Sequence, residues 1–183
     1  EHMFFEKERL PIVQRMILTK DESVRKRCLD ELLEYQRADF EGIFEAMDDK
    51  PVTIRLIDPP LHEFLPSHDE LLVEVTRLSD QLYNGKPVAE HLREKEALLH
   101  EVEGMRESNP MLGLRGVRLS IVFPGIVEMQ TRAILEAALN VSARGIQAHP
   151  EILIPRVGHV DVLRVVRRQL EQVAKQTLKD QSL

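Results

Sequence analysis

The chain has 183 residues, of which 43% are hydrophobic and 31% charged, and its formal net charge is −6. This composition is typical of a folded domain with a hydrophobic core and excludes a disordered chain. The negative charge and the scarcity of aromatic residues argue against nucleic-acid binding. The longest apolar run is far shorter than the roughly 18 residues that a membrane span needs. The single Cys28 cannot form an internal disulfide, which fits a reducing compartment.

Most of the sequence has the apolar periodicity of α-helices. Ser67 and Glu70 have the spacing of a capping box, and Asn84-Gly85 is typical of a helix end. Pro124 favours a helix start, and Gly145 a helix end. The predicted helical segments are 3–18, 21–47 with a break near Tyr35 to Asp39, 67–84, 87–106, 124–145 and about 159–178.

Three short runs predict strands: Val52 to Ile57, Val117 to Val122, and Ile152 to Val157. Each precedes a helical segment, and this order with apolar strands implies parallel pairing in an α/β fold. Because helix outweighs strand so strongly, we expect long helical insertions at about 3–48 and 67–106. We expect one domain over residues 1–183.

Arg55 lies towards the carboxyl end of the first predicted strand, in the segment TIRLIDPPLHEF. Ligands of α/β folds bind at this edge of the sheet, and a guanidinium group fits a phosphate or carboxylate through paired hydrogen bonds. Arg55 is therefore a candidate substrate-binding residue. The alternative is a structural arginine paired with a neighbouring carboxylate, Asp58 or Glu63.

Arg115 lies between Gly113 and Gly116, in the segment NPMLGLRGVR at 109–118. Glycine permits close backbone approach to a bound anion, so Arg115 is a second candidate. The segment lacks the Gly-Lys-Ser/Thr ending of a P-loop. The alternative is a tight turn before a strand, with its arginines at the surface.

The other reactive residue types give weaker signals. No two histidines have the spacing of metal ligands, so we predict no metal site in this chain. His62 and Glu63 are predicted to orient their loop rather than to react. Cys28 is predicted to be an ordinary structural cysteine.

Three long segments carry a resemblance that follows the chain in order over nearly its whole length. They are EHMFFEKERLPIVQRMIL at the start, DFEGIFEAMDDKPVTIRLIDPPLHEFLP at 39–66, and NPMLGLRGVRLSIVFPGIVEMQTRAI at 109–134. They resemble the C-terminal domain of the pyruvate, phosphate dikinase family, the (β/α)8 TIM barrel that binds phosphoenolpyruvate (PEP) and pyruvate. The resemblance implies about the first half of that barrel, strands 1–4, with long helical insertions.

The resemblance also implies a function. The family are phosphotransferases that convert ATP, pyruvate and phosphate into AMP, PEP and diphosphate, through a phosphohistidine on another domain of the same chain. By position, Arg55 and Arg115 match the arginines that contact the substrate phosphate. Leu114 and Val117 depart from the family pattern, which has histidine and cysteine there, so a hydrogen bond beside Arg115 is in doubt.

The remaining family groups are expected outside this chain. The Mg²⁺ ligands and the catalytic cysteine fall after Leu183, so we expect no catalytic residue here and a fragment that is inactive alone. We expect a homodimer in the cytoplasm or an organelle, with no membrane or nucleic-acid partner. Two alternatives are the barrel of phosphoenolpyruvate synthase or of phosphotransferase-system enzyme I, and a non-catalytic helical assembly module.

Overall fold

The computed structural model describes residues 2–105 and 113–180, and within these ranges the chain is a helix-rich α/β protein. A 3₁₀ helix, His2–Phe5, begins the described chain, and another, Leu61–Phe64, follows the first strand. The α-helices and strands are, in chain order, α1 Leu10–Leu18, α2 Glu22–Met47, β1 Pro51–Arg55, α3 His68–Tyr83, α4 Ala89–Met105, α5 Val117–Val122, α6 Pro124–Ala143, β2 His149–Leu153 and α7 Val160–Asp180.

The chain divides into two compact units. The first comprises Glu1–Pro60 and Leu114–Leu183, and the second comprises Leu61–Gly113. In the second unit α3 packs against α4, and Leu71, Leu78, Leu92, Leu99 and Val102 are among its buried side chains. None of the described helices is both long enough and apolar enough to cross a membrane.

The sheet of the first unit confirms the predicted parallel pairing. Strand β1 lies parallel to β2 in a register that opposes Pro51 to His149 and Arg55 to Leu153. The Leu56 amide extends the ladder by donating to the Leu153 carbonyl at 3.0 Å. Both strands therefore end at the same edge of the sheet, so the loops that follow them are neighbours.

The core of this unit lies where α2 and α6 pack on each other beside the sheet. Its fully buried members are Phe40, Phe44, Leu56, Val127, Ala133, Ile134, Ala137 and Val141. On α2 the two positions are four residues apart, and on α6 Val127, Ile134 and Val141 are seven apart, which is two helical turns, so each set lies on one face. The side chain of Gln130 on α6 also accepts from the Ile57 amide at 2.9 Å, so α6 fixes the path of the chain just after β1.

Three predictions of secondary structure are wrong. The predicted helix over 3–18 is interrupted, because the 3₁₀ helix His2–Phe5 ends well before α1 begins at Leu10. Val117 to Val122 is the helix α5 rather than a strand, because its first amides are held elsewhere: Gly116 N–H donates to the Asp58 carbonyl and Val117 N–H to the Pro155 carbonyl, both at 3.1 Å. Local β propensity is weak enough for such tertiary contacts to override it.

The predicted break near Tyr35 to Asp39 is absent, because α2 is continuous from Glu22 to Met47. This stretch contains neither glycine nor proline, and the buried Gln36, Phe40 and Phe44 continue a single face through it. At the start of α3 the helix begins as predicted, but the side chain of Ser67 makes no capping hydrogen bond.

Candidate functional site

Arg55 was predicted towards the carboxyl end of a strand through Ile57, and it is the last residue of β1, which ends two residues earlier than predicted. Its side chain is 47% exposed, and its Nη1 lies 3.5 Å from Asp58 Oδ2. Of the two carboxylates proposed as its structural partner, Asp58 is thus in contact range. The Arg55 side chain is therefore both close to Asp58 and partly exposed to solvent at the carboxyl end of a parallel strand.

Asp58 is the centre of the site, a role that the sequence did not reveal. The residue is only 5% exposed, and guanidinium groups from three different segments surround its carboxylate. Arg156 Nε donates to Oδ1 at 2.7 Å, Arg115 Nη2 donates to Oδ2 at 3.2 Å, and Arg55 Nη1 lies 3.5 Å from Oδ2. A buried carboxylate needs such partners, since burying an unpaired charge is very costly.

Two nitrogens of the Arg115 side chain, Nε and Nη2, contact Asp58. Its side chain is 13% exposed, and its Nε lies 3.3 Å from the Asp58 carbonyl oxygen that also accepts from Gly116 N–H. The Asn109–Leu112 part of the predicted anion loop lies outside the described residues. Val117 is buried, with 2% of its surface exposed.

Gly116 is required at this point by geometry. Its φ is +56°, and a methyl carbon built there would lie 3.0 Å from Asp58 Oδ1 and 3.2 Å from both Arg156 Cβ and the Pro155 carbonyl oxygen. The loop after β1, the turn before α5 and the loop after β2 therefore meet at a glycine, because any side chain would separate them.

Arg156 is the functional candidate that sequence reasoning missed. It follows Pro155 directly after β2, whereas the sequence predicted a strand through Val157. Its φ is +59°, a left-handed conformation that costs a non-glycine residue roughly 1–2 kcal/mol. Pro155 was the available signal, because a proline has no backbone N–H to donate to a ladder and so disfavours a strand that continues through it.

Positive charge predominates among the charged groups around Asp58. Among the described residues, Asp58 and the three guanidinium groups that contact it carry a combined formal charge of +2. The exposed fractions of the Arg55 and Arg156 side chains, 47% and 35%, leave two of these cations open to solvent. The arrangement can bind an anion with several oxygens, such as a phosphoryl group.

The described residues do not fit a Mg²⁺ ion. No group of three or more His, Cys, Asp or Glu side chains is placed to hold a metal within residues 2–105 and 113–180. The one buried carboxylate of the site, Asp58, is surrounded by guanidinium groups, which would repel a divalent cation.

Cys28 is 2% exposed, and burial raises the pKa of its thiol, which agrees with the prediction of a structural cysteine. His62 and Glu63 belong to the 3₁₀ helix of the second unit. The prediction that they orient this loop stays a prediction.

Comparison with known proteins gives the family. The sequence profile described as PEP-utilising enzyme, PEP-binding domain, matches residues 1–183. The chain belongs to this family of PEP-utilising enzymes. Members of the family named pyruvate, phosphate dikinase are close in sequence, and the enzyme class that they represent is a phosphotransferase.

Three of these relatives come from organisms as different as two protists and a plant. The dikinase of Giardia intestinalis is 46% identical over 181 residues, covering 98% of this chain and 19% of the relative. The chloroplastic dikinase 1 of Oryza sativa is 47% identical over 179 residues, covering 93% and 18%. The dikinase of Entamoeba histolytica is 46% identical over 170 residues, covering 93% and 19%. The chain thus spans about a fifth of the length of the curated relatives it matches.

Proposed function

We propose that this PEP-utilising chain binds the phosphoryl group of phosphoenolpyruvate through Arg55 and Arg115, as the substrate domain of a pyruvate, phosphate dikinase. The observation that carries the proposal is the convergence of both arginines on the buried Asp58 at the carboxyl ends of two parallel strands. Ligands of parallel α/β sheets bind at this edge. The names of the relatives favour the dikinase over the synthase and enzyme I.

The role of the arginines follows from the chemistry of phosphoryl transfer. Such a reaction depends mainly on positioning the phosphoryl group and stabilising the charge on its oxygens. In the proposed reaction, a phosphohistidine from another domain exchanges its phosphoryl group with pyruvate, within the conversion of ATP, pyruvate and phosphate to AMP, PEP and diphosphate. Arg55 and Arg115 would hold the oxygens, while Mg²⁺ and the acid–base groups come from outside the described residues.

We also propose that this α/β fold is part of a (β/α)8 barrel. A cavity of about 340 Å³ is lined by the four consecutive residues 52–55 of β1 and by Gln36 of α2. Consecutive side chains point to opposite faces of a strand, so a cavity that touches all four follows the strand's edge. Within the described residues the buried amide oxygen of Gln36 has no hydrogen-bond partner. A further strand at this edge would occupy the cavity.

Calorimetric titration with PEP tests the substrate assignment. We expect weak binding to the chain, and Arg55→Ala should lower the affinity roughly 10- to 100-fold, because a hydrogen bond to a charged group contributes about 1.5–3 kcal/mol. Arg115→Ala should act in the same direction. Arg144→Ala is the matched control, because Arg144 is 49% exposed and lies after α6, before β2 begins.

Two outcomes would overturn the proposal. One is equal PEP affinity for the native chain, Arg55→Ala and Arg144→Ala, which would remove Arg55 from the site. The other is an absence of PEP binding at low ionic strength, which would favour the assembly-module alternative. A domain exchange into the Giardia intestinalis dikinase extends the test: Arg55→Ala should then impair the pyruvate half-reaction and leave the nucleotide half-reaction near normal.

A further inference from the structure

Arg156 lies directly after β2, at the edge of the sheet where β1 ends with Arg55. Its Nε makes the shortest of the three guanidinium contacts to Asp58, at 2.7 Å. This contact uses the Nε–H of the guanidinium group, and the two terminal Nη groups are not part of it. Across residues 2–105 and 113–180, neither Nη group of Arg156 has a protein partner, and the side chain is 35% exposed.

The backbone holds this side chain in an unusual position. The φ of +59° is a conformation in which glycine or asparagine would be under less strain than arginine. The preceding carbonyl, of Pro155, accepts from Val117 N–H at 3.1 Å, and Gly116 leaves room for Arg156 Cβ. Strained backbone that is held by its surroundings is concentrated at ligand sites, so the observed outlier calls for a functional explanation.

We infer that Arg156 is a third phosphoryl-binding residue, whose Nη groups donate to the phosphoryl oxygens while its Nε is fixed by Asp58. The inference rests on the proposed function and adds to it a residue that sequence reasoning did not single out. Three guanidinium groups around one edge match a group with three terminal oxygens better than a carboxylate with two. Arg156 binds and positions the phosphoryl group, and it takes no part in bond making or breaking.

Asp58 makes this grouping of cations possible. Three guanidinium groups close together would repel one another, and the buried carboxylate among them offsets that repulsion. The same carboxylate fixes Arg156 through Nε, so the two Nη groups are oriented before the ligand arrives. A side chain that is fixed in advance loses less conformational entropy on binding.

The test titrates the chain with inorganic phosphate and, separately, with pyruvate in a chloride-free buffer of low ionic strength, followed by NMR. Arg156→Asn tolerates the left-handed backbone and removes the guanidinium group. It should bind phosphate at least about tenfold more weakly than the native chain, because the loss of a single charged hydrogen bond already has an effect of that size. Arg156→Lys keeps the charge and should fall between the two. Pyruvate binding should change less than twofold, and Arg144→Asn should change neither.

Chemical rescue separates binding from a purely structural role. Arg156→Gly relieves the backbone strain and leaves space where the side chain was. Guanidinium chloride at a non-denaturing concentration should restore most of its phosphate affinity, whereas the same concentration of tetramethylammonium chloride should not. Equal effects of the two salts would overturn the inference, since only guanidinium can reproduce the planar donor.

The outcomes distinguish this inference from the proposed function. If Arg55→Ala weakens phosphate binding and Arg156→Asn leaves it unchanged, the role given to Arg156 is wrong and the proposed site stands. If neither variant changes phosphate binding, or the native chain does not bind phosphate, the proposed function itself is wrong. If Arg156→Asn weakens pyruvate as much as phosphate, the assignment to the phosphoryl group is overturned. A urea unfolding curve for each variant shows whether it is folded before its titration is read.

Discussion

Replacing Asp58 with asparagine should destabilise the first unit and loosen the arginine site together. The substitution keeps the shape of the side chain but removes its negative charge and one of its two acceptor oxygens. The three surrounding guanidinium groups would then face an amide, and at least one of them would face its NH₂ group. Because Asp58 joins the loops after β1 and β2 to the turn before α5, all three segments lose a shared contact.

The size of the effect follows from two of the three contacts. The distances from Arg156 and Arg115, 2.7 and 3.2 Å, are within hydrogen-bonding range, whereas 3.5 Å from Arg55 is too long for a strong bond. A charged hydrogen bond contributes about 1.5–3 kcal/mol, but the side chains of Arg156 and Arg115 are 35% and 13% exposed, and solvent screening reduces this. We expect the free energy of unfolding to fall by about 2 kcal/mol.

Urea unfolding followed by labelling of Cys28 measures this effect, because Cys28 is the single thiol and lies buried in the same unit. With an m-value of about 2 kcal/mol per molar, the midpoint should fall by about 1 M urea. Asp30→Asn is the control: Asp30 is an exposed carboxylate on α2, and its loss should change stability by less than about 0.5 kcal/mol. Equal midpoints for Asp58→Asn and the native chain would refute the account of the ion cluster.

Three further predictions concern single positions. Gly116→Ala should lower the free energy of unfolding by roughly 1–3 kcal/mol, because the new methyl group would contact Asp58 and the backbone φ is positive. Gly42→Ala is the matched substitution on the exposed face of α2, and it should raise the free energy of unfolding by up to about 1 kcal/mol. Urea unfolding curves of the two variants check both values. Cys28 should resist a thiol reagent at pH 8 in the folded chain and react fully in urea, since burial raises its pKa and lowers its thiolate fraction; fast reaction of the folded chain would contradict its burial. Gln36→Leu should raise the thermal unfolding midpoint, because it removes a buried amide oxygen that has no hydrogen-bond partner among the described residues. The expected gain in the free energy of unfolding is about 1 kcal/mol. A lower midpoint would show that the amide oxygen has a partner.

The sequence predicted the features that depend on local pattern. Apolar periodicity and end signals located most helices, including the start of α6 at Pro124 and the turn at Gly145. The strand order predicted parallel pairing, which β1 and β2 show, and it placed Arg55 towards the carboxyl end of its strand, although the predicted strand ran on to Ile57. These predictions succeeded because periodicity and turn residues act over a few positions.

The features that the sequence did not predict depend on contacts between distant segments. Arg156 and Asp58 are 98 positions apart and meet only because parallel pairing brings two loops to one edge. The helix at Val117 to Val122 likewise depends on amides held by Asp58 and Pro155. The hydrophobic pattern of this short run could not decide between strand and helix without those partners.

We propose that arginines at the carboxyl edge of this sheet hold the phosphoryl group of PEP. Side-chain NMR of the ¹⁵N-labelled arginines during a PEP titration tests it most directly, with Arg55→Lys and Arg115→Lys to assign the signals. The Nε–H signals of Arg55 and Arg115 should move in a saturable way, while that of Arg144 should not move. Unchanged Arg55 and Arg115 signals, or an equal shift of Arg144, would contradict it.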